Sequence, residues 1–237
     1  EKRKSWRIID RFLFKSLVKN SDSIVAVSDV LKKDMSFSCK SKIEVIGNHI
    51  EPDTFLLKQK EKNSITQFLH VSTLDPETKN PQGIIDACHV LHQKGLNFKL
   101  TIVCDTDYSS WHKQVLDLGL KNVIQFVGPI DWEKTVSYYQ KADAFILNSI
   151  YETFSIVLLE ALMTGTPVIT PKVGIAHDFD STHGILIESQ NDLINAMTQF
   201  IKTGFTYSPQ KLREFGMQYS EEATLSKWKT LIESHVR

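Results

Sequence analysis

One continuous stretch, residues 143–170, constrains the fold more than any other part of the chain. It reads DAFILNSIYETFSIVLLEALMTGTPVIT, in which apolar runs alternate with a polar loop and a Gly-Thr-Pro turn. Ala144 to Leu147 is short and apolar enough for a buried parallel strand, whereas Ser155 to Thr164 is too long and too rich in Leu and Ala to be another. Gly165 is expected to end that helix, and Pro167 to open the next strand. The stretch therefore predicts strand, loop, helix, turn and strand.

A single acid, Glu160, interrupts the predicted helix. Its neighbours one helical turn away are Ile156, Val157, Met163 and Thr164, so the helix has no polar face on which a carboxylate would lie. We expect Glu160 to be buried or half-buried, where a carboxylate needs hydrogen-bond donors. Its two oxygens could accept both hydroxyls of a vicinal diol such as a ribose. A core acid paired with a Lys or Arg is the alternative.

A second acid, Glu152, lies in the loop eight residues before Glu160. At about 1.5 Å per residue, Glu160 lies roughly 8 Å beyond the helix start near Ser155, which is comparable with the span of a nucleoside diphosphate. The free amides of Phe154 and Ser155, with the positive end of the helix dipole, would then face the diphosphate. Taken alone, Glu152 could equally be a solvated loop residue.

The pattern Glu152-x7-Glu160, followed by EALMTGTPVIT and a segment at Gly174, resembles the donor-sugar motif of glycosyltransferase family 4, the retaining transferases of GT-B fold. The resemblance implies an α/β fold with a doubly wound, Rossmann-like parallel sheet, which forms the C-terminal half of a GT-B fold and ends in closing helices. It also implies that Glu152 holds hydroxyls of the donor sugar and that Glu160 holds the ribose. Strand and helix patterns that alternate from residue 67 to residue 187 favour the same sheet.

A predicted strand-to-helix loop near residue 75 carries Lys79, whose flexible point charge can reach a phosphate. Members of the resembling family carry an Arg and a Lys six residues apart in this loop, both on the diphosphate. Lys79 matches the Lys, whereas Thr73 occupies the position of the Arg and supplies a hydroxyl without a charge. We therefore expect stabilisation of the leaving group to be weaker here, or to be supplemented from elsewhere.

By resemblance, the backbone around Val127, Gly128 and Ile130 lines the pocket for the base. Trp132 follows closely and could stack on a base, but packing against a helix is the interpretation that we favour.

The segment after residue 170 departs from the family pattern. The family usually has paired glycines and an acid here, whereas this chain keeps Gly174, has Ile175 at the second position and has Asp178 for the acid. We expect the surroundings of the donor sugar to differ accordingly.

Two groups of possible metal ligands are weak signals. The Asp-Thr-Asp triplet at residues 105–107 has no third ligand in view, and the same holds for His89 and His92, which follow Cys88 at helical spacing. We therefore predict no metal and no cofactor. The substrate would be a nucleotide sugar, linked to UDP or GDP.

Composition excludes several classes of protein. The 237 residues include 28 basic and 28 acidic side chains, which argues against a general attraction to nucleic acid. Three widely spaced cysteines favour a reducing compartment. No run approaches the roughly 20 apolar residues of a membrane span, and no secretory signal is present. We expect the cytoplasm, with the inner face of a membrane as an alternative location.

Residues 1–20 read as a basic amphipathic helix. Such a helix could lie on a membrane, but packing against a neighbouring domain explains the same apolar face and is favoured. We interpret residues 1–20 as a remnant of the link to a missing N-terminal acceptor domain, and residues 21–237 as the nucleotide-sugar-binding domain. A glycan or a lipid-linked acceptor would bind through the missing domain.

These observations predict the donor-binding domain of a retaining glycosyltransferase that transfers a hexose in polysaccharide biosynthesis, with the fragment inactive by itself. Two alternatives stay open. A nucleotide-sugar epimerase of GT-B fold is disfavoured by the spacing of Glu152 and Glu160. A nonenzymatic domain that keeps the fold but has lost the site is made credible by the departures at Thr73 and Ile175.

Overall fold

A small parallel sheet comes first in the computed structural model, which describes residues 16–36, 42–57, 64–204 and 207–235. Strand β1 (Ile24–Ala26) pairs with strand β2 (Ile43–Val45), and helix α1 (Asp29–Ser36) lies between them in sequence. Ser28 caps this helix as its position predicts, because its Oγ accepts from the Leu31 amide at 3.2 Å.

These two strands do not join the main sheet, although we expected residues 21–237 to form one domain. The domain boundaries stay a prediction. Most of the predicted helix over residues 1–20 lies outside the described residues, and residues 16–19 of it are helical.

Six parallel strands form the main sheet in the order β5-β4-β3-β6-β7-β8. Their bounds are Thr66–Val71 (β3), Phe98–Val103 (β4), Ile124–Val127 (β5), Ala144–Ile146 (β6), Val168–Pro171 (β7) and Gly184–Ile187 (β8). The chain runs outward from the centre at β3 to β5, returns to β6 beside β3, and then runs out to β8. The predicted doubly wound parallel sheet is confirmed.

Helices connect the strands and close the chain. Their bounds are Pro81–Gln93 (α2), Ser109–Asp117 (α3), Trp132–Lys141 (α4), Ile156–Met163 (α5), Gln190–Thr203 (α6), Pro209–Met217 (α7) and Glu221–His235 (α8). A 3-10 helix, Gly174–Asp178, which we did not predict, connects β7 to β8. Within the described ranges, no helix has the length and apolar character that crossing a membrane requires.

The predicted ends of the elements are less accurate than their types. The apolar pattern from Ile84 to Gln93 predicts a helix after the loop that carries Lys79, and helix α2 begins three residues earlier, at Pro81. Asn80 explains the earlier start, because its side chain accepts from the Gly83 amide at 3.2 Å and so caps the first turn. Proline suits the first turn of a helix, where its missing N–H has no partner to lose.

The apolar core lies on both faces of the main sheet. The consecutive residues Phe68 and Leu69 of β3 point to opposite faces. Phe68 packs with α2 and α6 in one buried cluster, whereas Leu69 packs with α4, α5 and α7 in the other. Each central strand is therefore buried on both sides, as the apolar runs predict.

His70 joins β3 to β6 where their backbone pairing stops. That pairing ends at Leu69 and Phe145, and one residue further the buried His70 has its Nδ1 2.8 Å from the Ile146 carbonyl oxygen. A carbonyl only accepts, so Nδ1 carries the proton, and Nε2 accepts from the Ser72 hydroxyl at 2.7 Å. The imidazole therefore takes the place of the next backbone hydrogen bond between β3 and β6, at the point where the two strands diverge.

Burial of His70 makes the stability of the fold depend on pH. Desolvation lowers the pKa of His70 from 6.5 to about 4, although the hydrogen bond to Ile146 acts in the opposite direction. The unfolded chain therefore binds more protons than the folded chain between these pH values, so this contribution is fully present above pH 6.5 and is lost as the pH falls toward 4. We expect the free energy of unfolding to fall by about 2 kcal/mol between pH 7.5 and pH 5 because of His70. Urea titrations at both pH values measure this change.

The substitution His70→Asn removes the titrating ring, so its unfolding free energy should lack this part of the pH dependence, whatever the stability at pH 7.5. His92→Asn is a suitable control, because His92 is exposed near the end of α2 and its loss should leave the wild-type pH dependence. Equal dependence on pH in wild type and His70→Asn would contradict the assignment.

Candidate functional site

The loops after β3 and β6 leave the centre of the main sheet toward opposite faces. The loop after β3 leads to α2, which packs in one buried cluster, and the loop after β6 leads to α5, which packs in the other. This reversal is a topological switch point, and the crevice at the carboxyl ends of such strands is where doubly wound sheets bind ligands. Most of the predicted site residues lie on these two loops: Thr73, Lys79, Glu152, Phe154 and Ser155.

An ion pair between Lys79 and Glu152 joins the two loops. Lys79 Nζ donates to Glu152 Oε1 at 2.5 Å, and Ser149 Oγ donates to the same oxygen at 2.7 Å. The Lys79 side chain is 22% exposed and that of Glu152 is 10% exposed, so water screens the pair only in part. Beside it, the Ile150 amide donates to the Thr78 carbonyl at 2.8 Å. The structure thus brings together two predicted site residues that are far apart in sequence.

Both members of this pair keep capacity for a further partner. Glu152 Oε2 accepts no hydrogen bond from any residue that the structure describes. An ammonium group has three N–H donors, and Lys79 uses one of them on Glu152. The pair can therefore contact both an anion and a hydroxyl without being broken.

Thr73 lies two residues beyond the end of β3 and is exposed. Its carbonyl oxygen accepts from the Thr106 hydroxyl, which ties this loop to the loop after β4. Among the described residues, its own hydroxyl forms no hydrogen bond with Lys79 or Glu152.

The loop after β6 ends at a helix start that lacks its side-chain cap. Ser155 is the N-cap residue of α5, but its φ of 74° is left-handed and its side chain makes no capping hydrogen bond. The buried Ser155 Oγ has no hydrogen-bond partner among the described residues. The first amides of α5 therefore lack the acceptor that a serine usually supplies at this position, and they lie at the positive end of the helix dipole.

Neighbouring loops hold the backbone at Phe154. Its carbonyl oxygen accepts from the Ile175 amide at 2.9 Å, and the Ser28 hydroxyl donates to the Thr153 carbonyl at 2.5 Å. A Cβ atom on Gly174 would lie 2.3 Å from the Phe154 oxygen, and the φ of Gly174 is 51°. Only glycine fits both constraints, so Gly174 is required by the position of Phe154. Ile175, which departs from the family pattern, is buried and contributes its amide.

Backbone strain is concentrated on the same two loops. Among the described residues, the non-glycine residues with positive φ are Leu74 at 55°, Asn80 at 47° and Ser155 at 74°. Such conformations cost about 1–3 kcal/mol each and persist where the surroundings enforce them. At Leu74 the amide donates at 3.1 Å to the hydroxyl of Ser72, which itself donates to His70. The hydrogen bonds of His70 therefore extend into the loop that carries Lys79.

Glu160 is buried, with 4% of its surface exposed, as predicted. Its carboxylate has two protein donors that the sequence did not reveal: Trp132 Nε1 donates to Oε1 at 2.9 Å, and the Tyr139 hydroxyl donates to Oε2 at 2.7 Å. Burial raises the pKa of Glu160, and the two hydrogen bonds act in the opposite direction. Within the described ranges, no Lys or Arg forms a salt bridge with it, so the alternative of an acid paired with a base in the core finds no support there.

Trp132 was expected to pack against a helix, and the contacts that the structure shows for its side chain are a hydrogen bond to Glu160 of α5 and a ring contact with Phe55, which lies outside the helices. It is 43% exposed, and its ring meets the edge of Phe55 with ring centroids 5.1 Å apart. The hydrogen bond to Glu160 spans 28 residues of sequence, which no local pattern could indicate. The one available signal was that Trp132 and Tyr139 are seven residues apart and therefore lie on one face of α4.

The residues predicted to line the base pocket lie at the same edge of the sheet. Val127 ends β5, and Gly128 and Ile130 follow it, all three half-buried. Strand β5 is two positions from β3 in the sheet, which is roughly 10 Å at about 4.8 Å per strand. That separation suits opposite ends of one nucleotide-sized ligand.

No group of three or more His, Cys, Asp or Glu residues in the described ranges is arranged to hold a metal ion. Asp107 instead accepts from the Ser109 amide at 2.9 Å and from its hydroxyl at 2.6 Å, at the start of α3. Metal independence of the protein stays a prediction.

Comparisons with known proteins support this description. A family model described as "Glycosyl transferases group 1" matches residues 54–218, which contain every predicted site residue. The O-antigen chain mannosyltransferase RfbU of Salmonella typhimurium is 31% identical over 191 residues, which are 78% of this chain and 52% of that protein. The glycogen synthase of Mycobacterium tuberculosis is 28% identical over 166 residues, which are 67% of this chain and 39% of that protein.

Solved structures share the fold. Sucrose-phosphate synthase from Thermosynechococcus elongatus superposes with a TM-score of 0.82 at 20% identity, over 100% of this chain and 64% of that one. Anabaena Alr3699/HepE in complex with UDP-glucose superposes with a TM-score of 0.82 at 17% identity, over 98% of this chain and 69% of that one.

This chain spans about half the length of the mannosyltransferase and less of the glycogen synthase. The family match nevertheless covers both loops of the switch point, the residues after β5 and all of α5. On that match, the chain belongs to the glycosyl transferases group 1 family.

Proposed function

We propose that this chain binds the nucleotide-sugar donor of a retaining glycosyltransferase of family 4, as the C-terminal half of a GT-B fold. The observation that carries the proposal is the Lys79–Glu152 ion pair across the switch point, with both residues free to take a further partner. The donor would be a UDP- or GDP-linked hexose, bound without an obligatory metal.

Charge stabilisation would carry most of the chemistry. When the bond between sugar and nucleotide breaks, negative charge accumulates on the β-phosphate, and donors arranged in advance around that position lower the barrier. Lys79, the hydroxyl of Thr73 and the amides of Phe154 and Ser155 would receive this charge. The uncapped start of α5 supports the proposal, because amides without a side-chain acceptor at the positive end of a helix suit an anion.

Glu152 would hold hydroxyls of the donor sugar through Oε2, while Oε1 stays bound to Lys79 and Ser149. This arrangement couples the two substrate groups, because the cation that contacts the diphosphate also fixes the carboxylate that contacts the sugar. By resemblance to the family, the departing phosphate would deprotonate the acceptor, so we assign no side-chain base.

The other end of the nucleotide would extend along the carboxyl edge of the sheet. Val127, Gly128 and Ile130 would line the base, and Glu160 would bind the ribose. All of these segments lie at the carboxyl ends of strands or in the helices that follow them, as one extended ligand requires.

The acceptor, a glycan or a lipid-linked molecule, would bind to an N-terminal domain outside this chain. Two observations support this part of the proposal: the chain covers 52% of the mannosyltransferase, and among the described residues the parallel sheet of β1 and β2 has only these two strands. Parallel sheets usually contain more strands and are covered on both faces. The complete enzyme would then transfer hexoses in polysaccharide biosynthesis in the cytoplasm.

The alternatives make different predictions for the donor. A nucleotide-sugar epimerase of GT-B fold would release an altered sugar, and a nonenzymatic domain would bind no nucleotide. The ion pair between Lys79 and Glu152 argues against a domain that has lost its site, because charged groups that are largely buried at the ligand crevice of such a sheet are typical of functional sites.

Nucleoside diphosphates should raise the melting temperature of the protein, because a ligand that binds only the folded state stabilises it. UDP and GDP, each titrated to a large excess, should give different shifts, and the larger shift identifies the base. Differential scanning fluorimetry measures both. No shift and no heat of binding with either nucleotide would support the nonenzymatic alternative.

Substitutions in the ion pair should separate binding of the diphosphate from binding of the sugar. Lys79→Met should weaken binding of the diphosphate by about tenfold or more, since it removes a charge-assisted hydrogen bond worth about 1.5–3 kcal/mol. Glu152→Gln releases Lys79 from its partner, so UDP or GDP should bind as tightly as before or more tightly, whereas affinity for the nucleotide sugar relative to the diphosphate should fall. Isothermal titration calorimetry with each ligand gives both ratios.

Lys94→Met is a matched control for the first substitution, because Lys94 is exposed at the opposite end of α2, and it should bind as wild type does. Equal losses of diphosphate and nucleotide-sugar affinity in Glu152→Gln would argue against contact between Glu152 and the sugar.

These 237 residues alone should bind the donor and transfer no sugar, because transfer needs both substrates held in one closed cleft. An assay that follows sugar incorporation into acceptor, with full-length protein as the positive control, tests this. The anomeric configuration of the product, read by NMR, should match that of the donor. Efficient transfer by the 237 residues would contradict the two-domain proposal, and an inverted product would contradict retention.

A further inference from the structure

Glu160 is held by two donors from one face of a single helix. Trp132 and Tyr139 are seven residues apart on α4, and about 3.6 residues per turn places them two turns apart on the same side. Trp132 donates to Oε1 and Tyr139 donates to Oε2, so the two bonds constrain different ends of the carboxylate. Together they fix its plane as well as its position.

The Glu160 carboxylate still has acceptor positions that a ligand could use. An ionised carboxylate has two oxygens and about four positions at which it can accept a hydrogen bond. Two are used by Trp132 and Tyr139, and no other donor among the described residues uses the rest. One acceptor position on each oxygen therefore remains, which is the number that the two hydroxyls of a vicinal diol need.

Packing keeps both donors in place. Tyr139 is fully buried, its ring lies 5.4 Å from that of Phe145, and its carbonyl accepts from the Thr166 hydroxyl at 2.7 Å. The Trp132 ring contacts the edge of the buried Phe55. Neither donor can turn away from Glu160 without disturbing these contacts.

The position of Trp132 indicates the side from which a ligand reaches Glu160. Of the two donors, Trp132 is 43% exposed and Tyr139 is not exposed. Trp132 begins α4, two residues after Ile130 in the segment proposed to line the base. A nucleotide that lies along this segment would bring its ribose to the Trp132 side of the carboxylate.

We infer that Trp132 and Tyr139 are positioning residues, which orient the Glu160 carboxylate so that its two remaining acceptor positions receive the 2′- and 3′-hydroxyls of the nucleotide. The inference rests on the proposed function and deepens it. It assigns the preference for a ribonucleotide over a nucleotide without these hydroxyls to a pair of side chains that need not contact the ligand. The indole N–H stays on Glu160 in the complex.

The test is a ratio of affinities. Full-length protein is titrated calorimetrically with UDP and GDP, and with 2′,3′-dideoxy-UDP and 2′,3′-dideoxy-GDP. Wild type should bind the ribonucleotide about tenfold or more tightly than the dideoxy nucleotide, because the two ribose hydroxyls donate additional hydrogen bonds to the Glu160 carboxylate. Tyr139→Phe removes only a hydroxyl, and Trp132→Phe removes the N–H and keeps an aromatic ring. Each should reduce the preference at least about threefold and leave the affinity for the dideoxy nucleotide unchanged.

Matched controls separate this effect from a general loss of structure. Tyr138→Phe removes a hydroxyl from the next residue of the same helix, and Trp228→Phe shortens an indole that is 39% exposed on α8. Neither side chain bonds to Glu160, so both variants should keep the wild-type preference. A purely structural role of Trp132 or Tyr139 would change both affinities equally and leave the ratio intact.

The outcomes distinguish this inference from the proposed function. The dideoxy nucleotide keeps the diphosphate, so its binding tests the proposed function separately, and failure of both nucleotides to bind refutes the two together. If Glu160→Gln abolishes the preference while Trp132→Phe and Tyr139→Phe retain it, the proposed function stands and the inference is wrong. Tighter binding of the ribonucleotide by Trp132→Phe would also overturn it, because the indole would then compete with the ribose. If Tyr139→Phe does not fold, the affinity ratio of Trp132→Phe tests the inference by itself, because Trp132 is half-exposed.

Discussion

The separation of β3 and β6 is the constraint on which the candidate site depends. Two adjacent parallel strands whose connections turn to opposite faces cannot continue pairing at their carboxyl ends, so backbone donors and acceptors there need other partners. His70 supplies one, because its neutral imidazole bonds to Ile146 across the gap and to Ser72 above it. Beyond this point the Lys79–Glu152 pair joins the two loops. Hydrogen bonds between side chains and one ion pair therefore connect the two loops where the backbone pairing has stopped.

The same reasoning explains how an acid is retained in an apolar helix. Burial penalises the charged form of Glu160, and removing either donor would leave a buried oxygen unpaired. Hydrogen bonds from Trp132 and Tyr139 offset part of that penalty, and they also connect α4 to α5. These hydrogen bonds are directional, so they constrain the relative position of the two helices more narrowly than apolar packing does by itself. The position of Glu160 is thus specified by the fold before any ligand binds.

Features that depend on local sequence pattern, such as element type and burial, could be predicted from the sequence. Contacts between side chains of different helices and strands could not. Alternating apolar runs were sufficient for the parallel sheet, and the apolar neighbours of Glu160 were sufficient for its burial. The resemblance predicted that Lys79 and Glu152 belong to one site. These residues are 73 positions apart in sequence, and their direct contact is visible only in the structure. The donors to Glu160 and the bond from His70 to Ile146 were missed for the same reason, since they join residues from different elements whose relative rotation no periodicity encodes. The left-handed conformation of Ser155 was missed because serine normally caps a helix in an extended conformation.

The left-handed conformation of Ser155 bears on how the site could function with threonine at position 73, where the resembling family has an arginine. With threonine at the arginine position, Lys79 is the charged donor of its loop, and Glu152 already neutralises part of its charge. In the proposed reaction, the departing diphosphate would then need further hydrogen-bond donors that are not already paired with a carboxylate. At Ser155 the backbone is left-handed and the hydroxyl forms no capping hydrogen bond, so the start of α5 and the positive end of its dipole lack a side-chain acceptor and would suit an anion. Gly174 and Ile175 hold the preceding carbonyl and keep this geometry in place. Backbone dipoles at the start of α5, which three loops hold in place, would thus take over the role that an arginine has in the family. Because these dipoles carry no net charge, Glu152 does not neutralise them as it neutralises part of the charge of Lys79.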